Sequence, residues 1–131
     1  MIESSSSAGA NQGLYEGYVY IRNDLSTFEL FKSLTHDKVG ILIPPRMQEV
    51  SDSTLREILQ DTVKEGVTSV VIDVSKQQYE TGDSYAKRIH RYAQQEGISK
   101  IVIFGLAKMY DTATYDTADT LEEAVDKLLR S

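Results

Sequence analysis

Cysteine is absent from the 131 residues. That excludes a disulfide framework, a thiol nucleophile and a zinc–thiolate centre, and it suits a reducing cytosol. Histidine is nearly absent: His36 and His90 stand in separate segments, so no pair at ligand spacing is offered to a transition metal. Basic residues are too few for an anionic partner. Lys and Arg number 14 against 20 Asp and Glu, a net charge of −6, whereas nucleic acid or an anionic membrane surface needs a basic face. No apolar run approaches the roughly 20 residues that span a bilayer. The opening MIESSSSAGANQG has neither a basic stretch nor an apolar core, so it does not read as a secretory signal. The patterns GxGxxG, GxxxxGK[ST] and GxSxG are missing as well. Together these gaps point to a cytoplasmic chain without enzymatic activity, metal or cofactor.

What is present suits one globular domain, 40% hydrophobic and 26% charged. Residues 1–13 are mostly Ser, Ala, Gly, Asn and Gln and read as a disordered tail, leaving residues 14–131 as the domain. GYVYIRN (17–23) reads as a first strand. Over residues 26–34 the spacing of Leu25, Phe28 and Phe31, with Ser26 and Glu29 as a capping box, predicts a short helix, although Phe28 and Leu30 also alternate. The apolar runs VGILIPP (39–45), TSVVIDV (68–74) and KIVIFGL (100–106) read as buried parallel strands. Between them, Leu55, Ile58, Leu59, Thr62 and Val63 make one helical stripe, with Thr54 and Glu57 as its capping box and Gly66 at its end. Tyr85, Ala86, Ile89, Tyr92 and Ala93 make a second stripe, ended by Gly97. TYDTA (114–118) reads as a weak edge strand. Leu121, Ala124, Val125, Leu128 and Leu129 form the last helix behind a Thr120 and Glu123 box. Strands alternating with helices give an α/β fold, a mostly parallel sheet with helices on both faces.

In such sheets ligands and partners gather beyond the carboxyl ends of the strands. Three loops fall there: PPRMQEVSD with Met47, SKQQYETGDS, and AKMYDTA with Tyr110. If the helix of the middle loop begins near Asp83, Ser84 lies in its first turn, where free N–H groups and the helix dipole favour negative charge. Lys87 and Arg88, three and four residues on, share its face. A phosphate on Ser84 would then meet amides and two cations, with Asp83 as a repelling neighbour. Thr81, Asp83 and Ser84 are also preferred N-cap types, so a plain helix cap accounts for the same letters. Tyr79 and Tyr110 offer the large rigid area and polar tip that protein contacts favour.

The stretches VVIDVS, GDSYAKRI, KIVIFGL and TADTLEEAVDKLL occur in an order and spacing that resembles STAS domains, the anti-sigma-factor-antagonist family. The resemblance covers roughly residues 39–130, and the segment before the last strand is shorter than in that family. It implies a three-layer sheet of four to five mostly parallel strands and a regulatory interaction module in a partner-switching or scaffold system. It also implies a protein partner, either a serine switch kinase or another STAS domain, with homo-oligomerisation open. On that match Ser84 is the phosphoacceptor, Asp83 its flanking acid and Thr81 the fallback. The contact surface would comprise Tyr79, Thr81, Gly82, Asp83, Ser84, Lys87 and Arg88, with Met47 and Tyr110 from the neighbouring loops.

Two other readings compete. A doubly wound receiver-like or small-ligand-binding domain would use Asp73 as phosphoacceptor, but it needs clustered acids after the first strand, where only Asp24 stands. A Ser84, His90 and Asp83 triad fails on helical geometry, because six residues turn about 600°. The disposition of residues 26–34 separates the first two readings: a crossover helix there favours the doubly wound domain, a hairpin the STAS-like one.

Overall fold

β-branched and apolar runs become the middle of a sheet, where branched side chains pack well on a pleated surface. Val39–Ile43 (β3), Ser69–Asp73 (β4) and Lys100–Phe104 (β5) lie side by side and parallel, and the short Asp116–Ala118 (β6) extends them on one edge. The computed structural model describes residues 17–22, 28–45, 50–77, 79–105 and 116–130, excepting the side chains of residues 22 and 79–82. The tail expected over residues 1–13, and with it Asp24, Met47 and Tyr110, lies outside the described residues.

Residues 28–34, the described part of the segment 26–34, do not form the expected short helix. Glu29–Ser33 is strand β2, antiparallel both to Tyr18–Arg22 (β1) and to β3. Phe28 and Leu30 bury on one face and Phe31 on the other. With both faces covered, the apolar residues follow neither period cleanly, which is why helix spacing competed. The hairpin turn is set by Ser33, whose Oγ accepts from the Thr35 and His36 amides at 3.2 and 3.0 Å. Lys38 then takes φ 70°, with its carbonyl accepting from the Thr68 and Ser69 amides, both at 3.0 Å.

The strand order is β1-β2-β3-β4-β5-β6, a mixed sheet of six strands where four to five had been expected. Because the order never reverses, there is no switch-point crevice of the kind a doubly wound sheet uses.

Three helices are described: Asp52–Lys64 (α1), Tyr79–Ala93 (α2) and Leu121–Arg130 (α3). The α1 stripe holds, with Leu55, Ile58, Leu59 and Thr62 buried, but its cap is Ser51 rather than Thr54. Ser51 Oγ accepts from the Thr54 amide at 3.2 Å, so the expected capping hydroxyl is instead inside the first turn. In α3 half of the expected box forms: Glu123 N–H donates to Thr120 Oγ1 at 3.1 Å, while Glu123 Oε1 accepts from the Asp119 amide at 3.0 Å, one residue before the capping position.

Leu30, Leu42, Val70, Ile72 and Ile103 face α1 and α2, while Phe31, Ile41, Val71 and Val102 face α3. Each fully buried aliphatic side chain contributes about 1.5–3 kcal/mol by its removal from water. Two strand lysines tie the helix ends down. Lys32 Nζ donates to the Glu65 carbonyl at 3.1 Å, and Lys100 Nζ donates to the Leu128 carbonyl at 3.2 Å. Both place a cation at the negative end of a helix dipole.

Candidate functional site

Parallel pairing of β3, β4 and β5 brings their carboxyl ends to one rim, together with the start of α1 after β3 and of α2 after β4. At the end of β4, Asp73 is only 4% exposed. Its Oδ1 accepts from the Ser75 amide at 2.9 Å and from Ser75 Oγ at 2.6 Å, so the carboxylate closes the turn that follows. Gly105 passes so near that a Cβ there would lie 2.5 Å from Ser75 Cα, and its φ of +97° also favours glycine. Gln77 reaches across from the same loop, its Nε2 donating to the Pro44 carbonyl at 3.2 Å. Its Oε1 is buried with no hydrogen-bond partner among the described residues. Asp73 therefore works as a turn former, and no cluster of three metal-ligating side chains exists among the described residues.

The helix carrying Ser84 starts at Tyr79, not near Asp83. Thr81, Gly82 and Asp83 look like a cap in sequence, yet the chain becomes helical directly after the turn at residues 74–77, and Gly82 is tolerated inside the helix at about 1 kcal/mol. Ser84 thus lies in the second turn, half-buried, and its amide belongs to the helical ladder rather than to the free N-terminal donors. This corrects the expectation that backbone amides would receive a phosphate there. Tyr79, Thr81 and Gly82 belong to the first turn of α2, on the same rim as the loop after β3.

The two cations expected beside Ser84 have partners. Lys87 is 60% exposed and pairs with Asp83 one turn earlier at 3.0 Å. Arg88 is only 16% exposed. Its Nε donates to Asp52 Oδ1 at 2.9 Å, its Nη2 donates to the Val50 carbonyl, and its guanidinium lies over the Tyr85 ring at 5.6 Å. Tyr85 is fully buried, edge-on to Phe28, and its hydroxyl accepts from the Val50 amide at 3.1 Å. Both polar groups of the Val50 peptide are therefore held by α2. Arg88 and Tyr85 fasten the lead-in to α1 onto the helix that carries Ser84.

This fastening continues along the α1 and α2 seam, which sequence reasoning missed. Tyr92 hydroxyl donates to Asp52 Oδ2 at 2.9 Å, Arg56 Nε donates to Glu96 Oε2 at 2.9 Å, and Gln60 Nε2 donates to Glu96 Oε1 at 2.9 Å. Arg56 also lies 5.5 Å over the Tyr92 ring. Hydrogen bonds from Tyr92 and then Arg88 hold the Asp52 carboxyl below its ordinary value of 3.8. Those from Gln60 and then Arg56 hold Glu96 below 4.5. The partners sit 36 to 40 residues apart in sequence, so no local pattern announces them. His90 is exposed and too far around the helix from Ser84 to act on it. No described helix is long and apolar enough to cross a membrane.

Compared with protein-family models, curated proteins and solved structures, the chain matches none.

Proposed function

We propose that the chain is a regulatory protein-interaction module of STAS-like type, without catalytic activity of its own. In this reading it acts in a partner-switching or scaffold system, and its contact surface is the rim formed by the first turns of α2 and the loop after β3. The observation that carries the reading is the pair of antiparallel connections leading into β3, where a doubly wound domain would have a crossover helix. The half-buried Ser84 on that rim is the residue through which a serine switch kinase would act. A three-layer organisation belongs to the same proposal.

With Ser84 inside the helix, the switch works by exchange of partners rather than by capture on free amides. A phosphoryl group adds about −1.5 to −2 charges. It repels Asp83 and competes for Lys87 and Arg88, which lie three and four residues on. Drawing Arg88 toward residue 84 takes it from Asp52 and from the Val50 carbonyl, and so loosens the lead-in to α1. One modification thereby alters both the charge of the rim and the shape of its neighbouring loop.

The test is incubation with a serine switch kinase and ATP, mapping of the modified residue by mass spectrometry, and comparison of partner binding by wild type and Ser84→Asp. Modification at Ser84 and about a tenfold change in affinity are expected, equivalent to about 1.4 kcal/mol. Equal binding by the two forms would rule the switch out.

A further inference from the structure

The face of the sheet opposite α1 and α2 carries a groove beside α3. Six strands at about 4.8 Å spacing are wider than a helix of about 10 Å can cover, and α3 is the one helix packed there among the described residues. Tyr18, Tyr20 and Ile43, on the β1 to β3 side, stay only partly buried. Between Tyr18, Thr35 and His36 on one side and α3 on the other runs a groove of about 340 Å³. Its wall is one stripe of α3, Leu121, Val125 and Leu129, spaced four residues apart, and Tyr18 faces it. Leu129 belongs to the apolar stripe of the last helix, yet it is 48% exposed. Leu121 and Val125 are partly buried and Leu129 exposed, so among the described residues the stripe stays accessible over two turns, the dimensions on which a second helix lies.

The charge around the groove selects the occupant. Glu122 and Asp126 line it. Asp126 is matched by Arg130 at 2.5 Å, whereas Glu122 has no ion pair or hydrogen bond with any described residue. Residues 116–130 hold five acidic against two basic side chains, a net −3, which is half of the charge of the whole chain. A second copy docked through the same stripe would set Glu122 and Asp126 against their like, and like charges face to face disfavour association.

We infer that the groove between α3 and β1 is a docking site for a basic amphipathic helix of a partner protein. Its apolar side chains would sit on Leu121, Val125, Leu129 and Tyr18, and its Lys or Arg would face Glu122. The site is separate from the rim around Ser84 and does not depend on it.

The test uses the full chain, isotope-labelled for NMR, titrated with a synthetic Leu/Lys amphipathic helix and with its Leu/Glu counterpart. The Leu/Lys peptide is expected to shift the amides of Tyr18, Thr35, Val125 and Leu129 and to leave α1 and α2 unmoved. Leu129→Gln and Glu122→Lys, both at exposed positions, are each expected to weaken binding about fivefold without changing the melting temperature. Equal response to the Leu/Glu peptide, indifference to both substitutions, or shifts centred on α1 and α2 would each overturn the proposal. So would a doubling of mass with loss of the groove signals in the absence of peptide, because the groove would then belong to a second copy.

Discussion

Over one face of the sheet α1 and α2 lie side by side, and Asp52, Arg88, Tyr92, Arg56, Gln60 and Glu96 bind them along their outer seam. Over the other face α3 is the one helix among the described residues, its outward charges paired mainly within its own helix: Lys127 with Glu123 at 3.8 Å and Arg130 with Asp126 at 2.5 Å. Such exposed pairs contribute about 0–1 kcal/mol each. The difference teaches how unevenly the two faces are tied. A seam of side chains reaching from helix to helix links α1 to α2, so in the proposed switch a charge introduced on α2 would be felt at the start of α1. A helix that satisfies its own charges leaves its flank available.

The comparison breaks most readily in the core. Leu59 is fully buried under the first face, and Leu59→Ala is expected to lower stability by about 2–5 kcal/mol, including the cavity it leaves. Leu129→Ala, the same chemical change on the second face, is expected to stay within about 0.5 kcal/mol. Urea unfolding of the two variants measures both, and equal losses would mean that α3 is as closely packed as α1.

Tyr85→Phe keeps the ring against Phe28 but removes the hydroxyl that accepts from the Val50 amide. A buried donor left without a partner costs about 1–3 kcal/mol. The loss should come with faster hydrogen exchange at Val50 and unchanged exchange in α3.

A smaller effect sharpens the electrostatic side. Asp52 and Glu96 have folded pKa values below their ordinary 3.8 and 4.5. Their contribution is therefore fully present above those ordinary values and is lost as the pH falls through them to the lowered folded ones. Between about pH 6 and about pH 3 the urea midpoint of wild type should fall more steeply than that of the Asp52→Asn, Glu96→Gln variant. Parallel profiles would show that the seam carries no linked protons.

A further small effect is expected at Lys38, a non-glycine residue at φ 70°. Lys38→Gly relieves the left-handed strain but adds unfolded-state freedom, and a change within about 1 kcal/mol is expected in thermal unfolding.

Much of this architecture was legible in the chain. The runs at residues 39–45, 68–74 and 100–106 read as buried strands because each holds four or more apolar side chains, mostly β-branched, within a short span. The Thr120 and Glu123 pair marked the start of α3 because it stands three residues apart at the head of the Leu121, Ala124, Val125, Leu128 stripe. Near α1, Ser51, Ser53 and Thr54 crowd four positions, and only the packing of Leu55 and Ile58 decides which of them caps. Strand β2 was hidden because Phe28, Leu30 and Phe31 are buried on both faces, which erases the alternation that marks a strand. The start of α2 was hidden by side chains at residues 81–84 that favour caps but sit inside a helix. Of the candidate site, the residues around Ser84 were visible, but the hold of Arg88 on Asp52 and Val50 was not, since it requires two distant helices to be neighbours.

The link from residue 84 through Arg88 to the lead-in of α1 is tested most directly by amide hydrogen exchange at Val50, compared between unmodified protein and protein carrying phosphoserine at position 84. Exchange at Val50 is expected to quicken by about tenfold or more, a loss of about 1.4 kcal/mol of local protection, while the amides of α3 keep their rates. An unchanged rate at Val50 would contradict the account, because Arg88 would then hold the start of α1 regardless of the charge on Ser84.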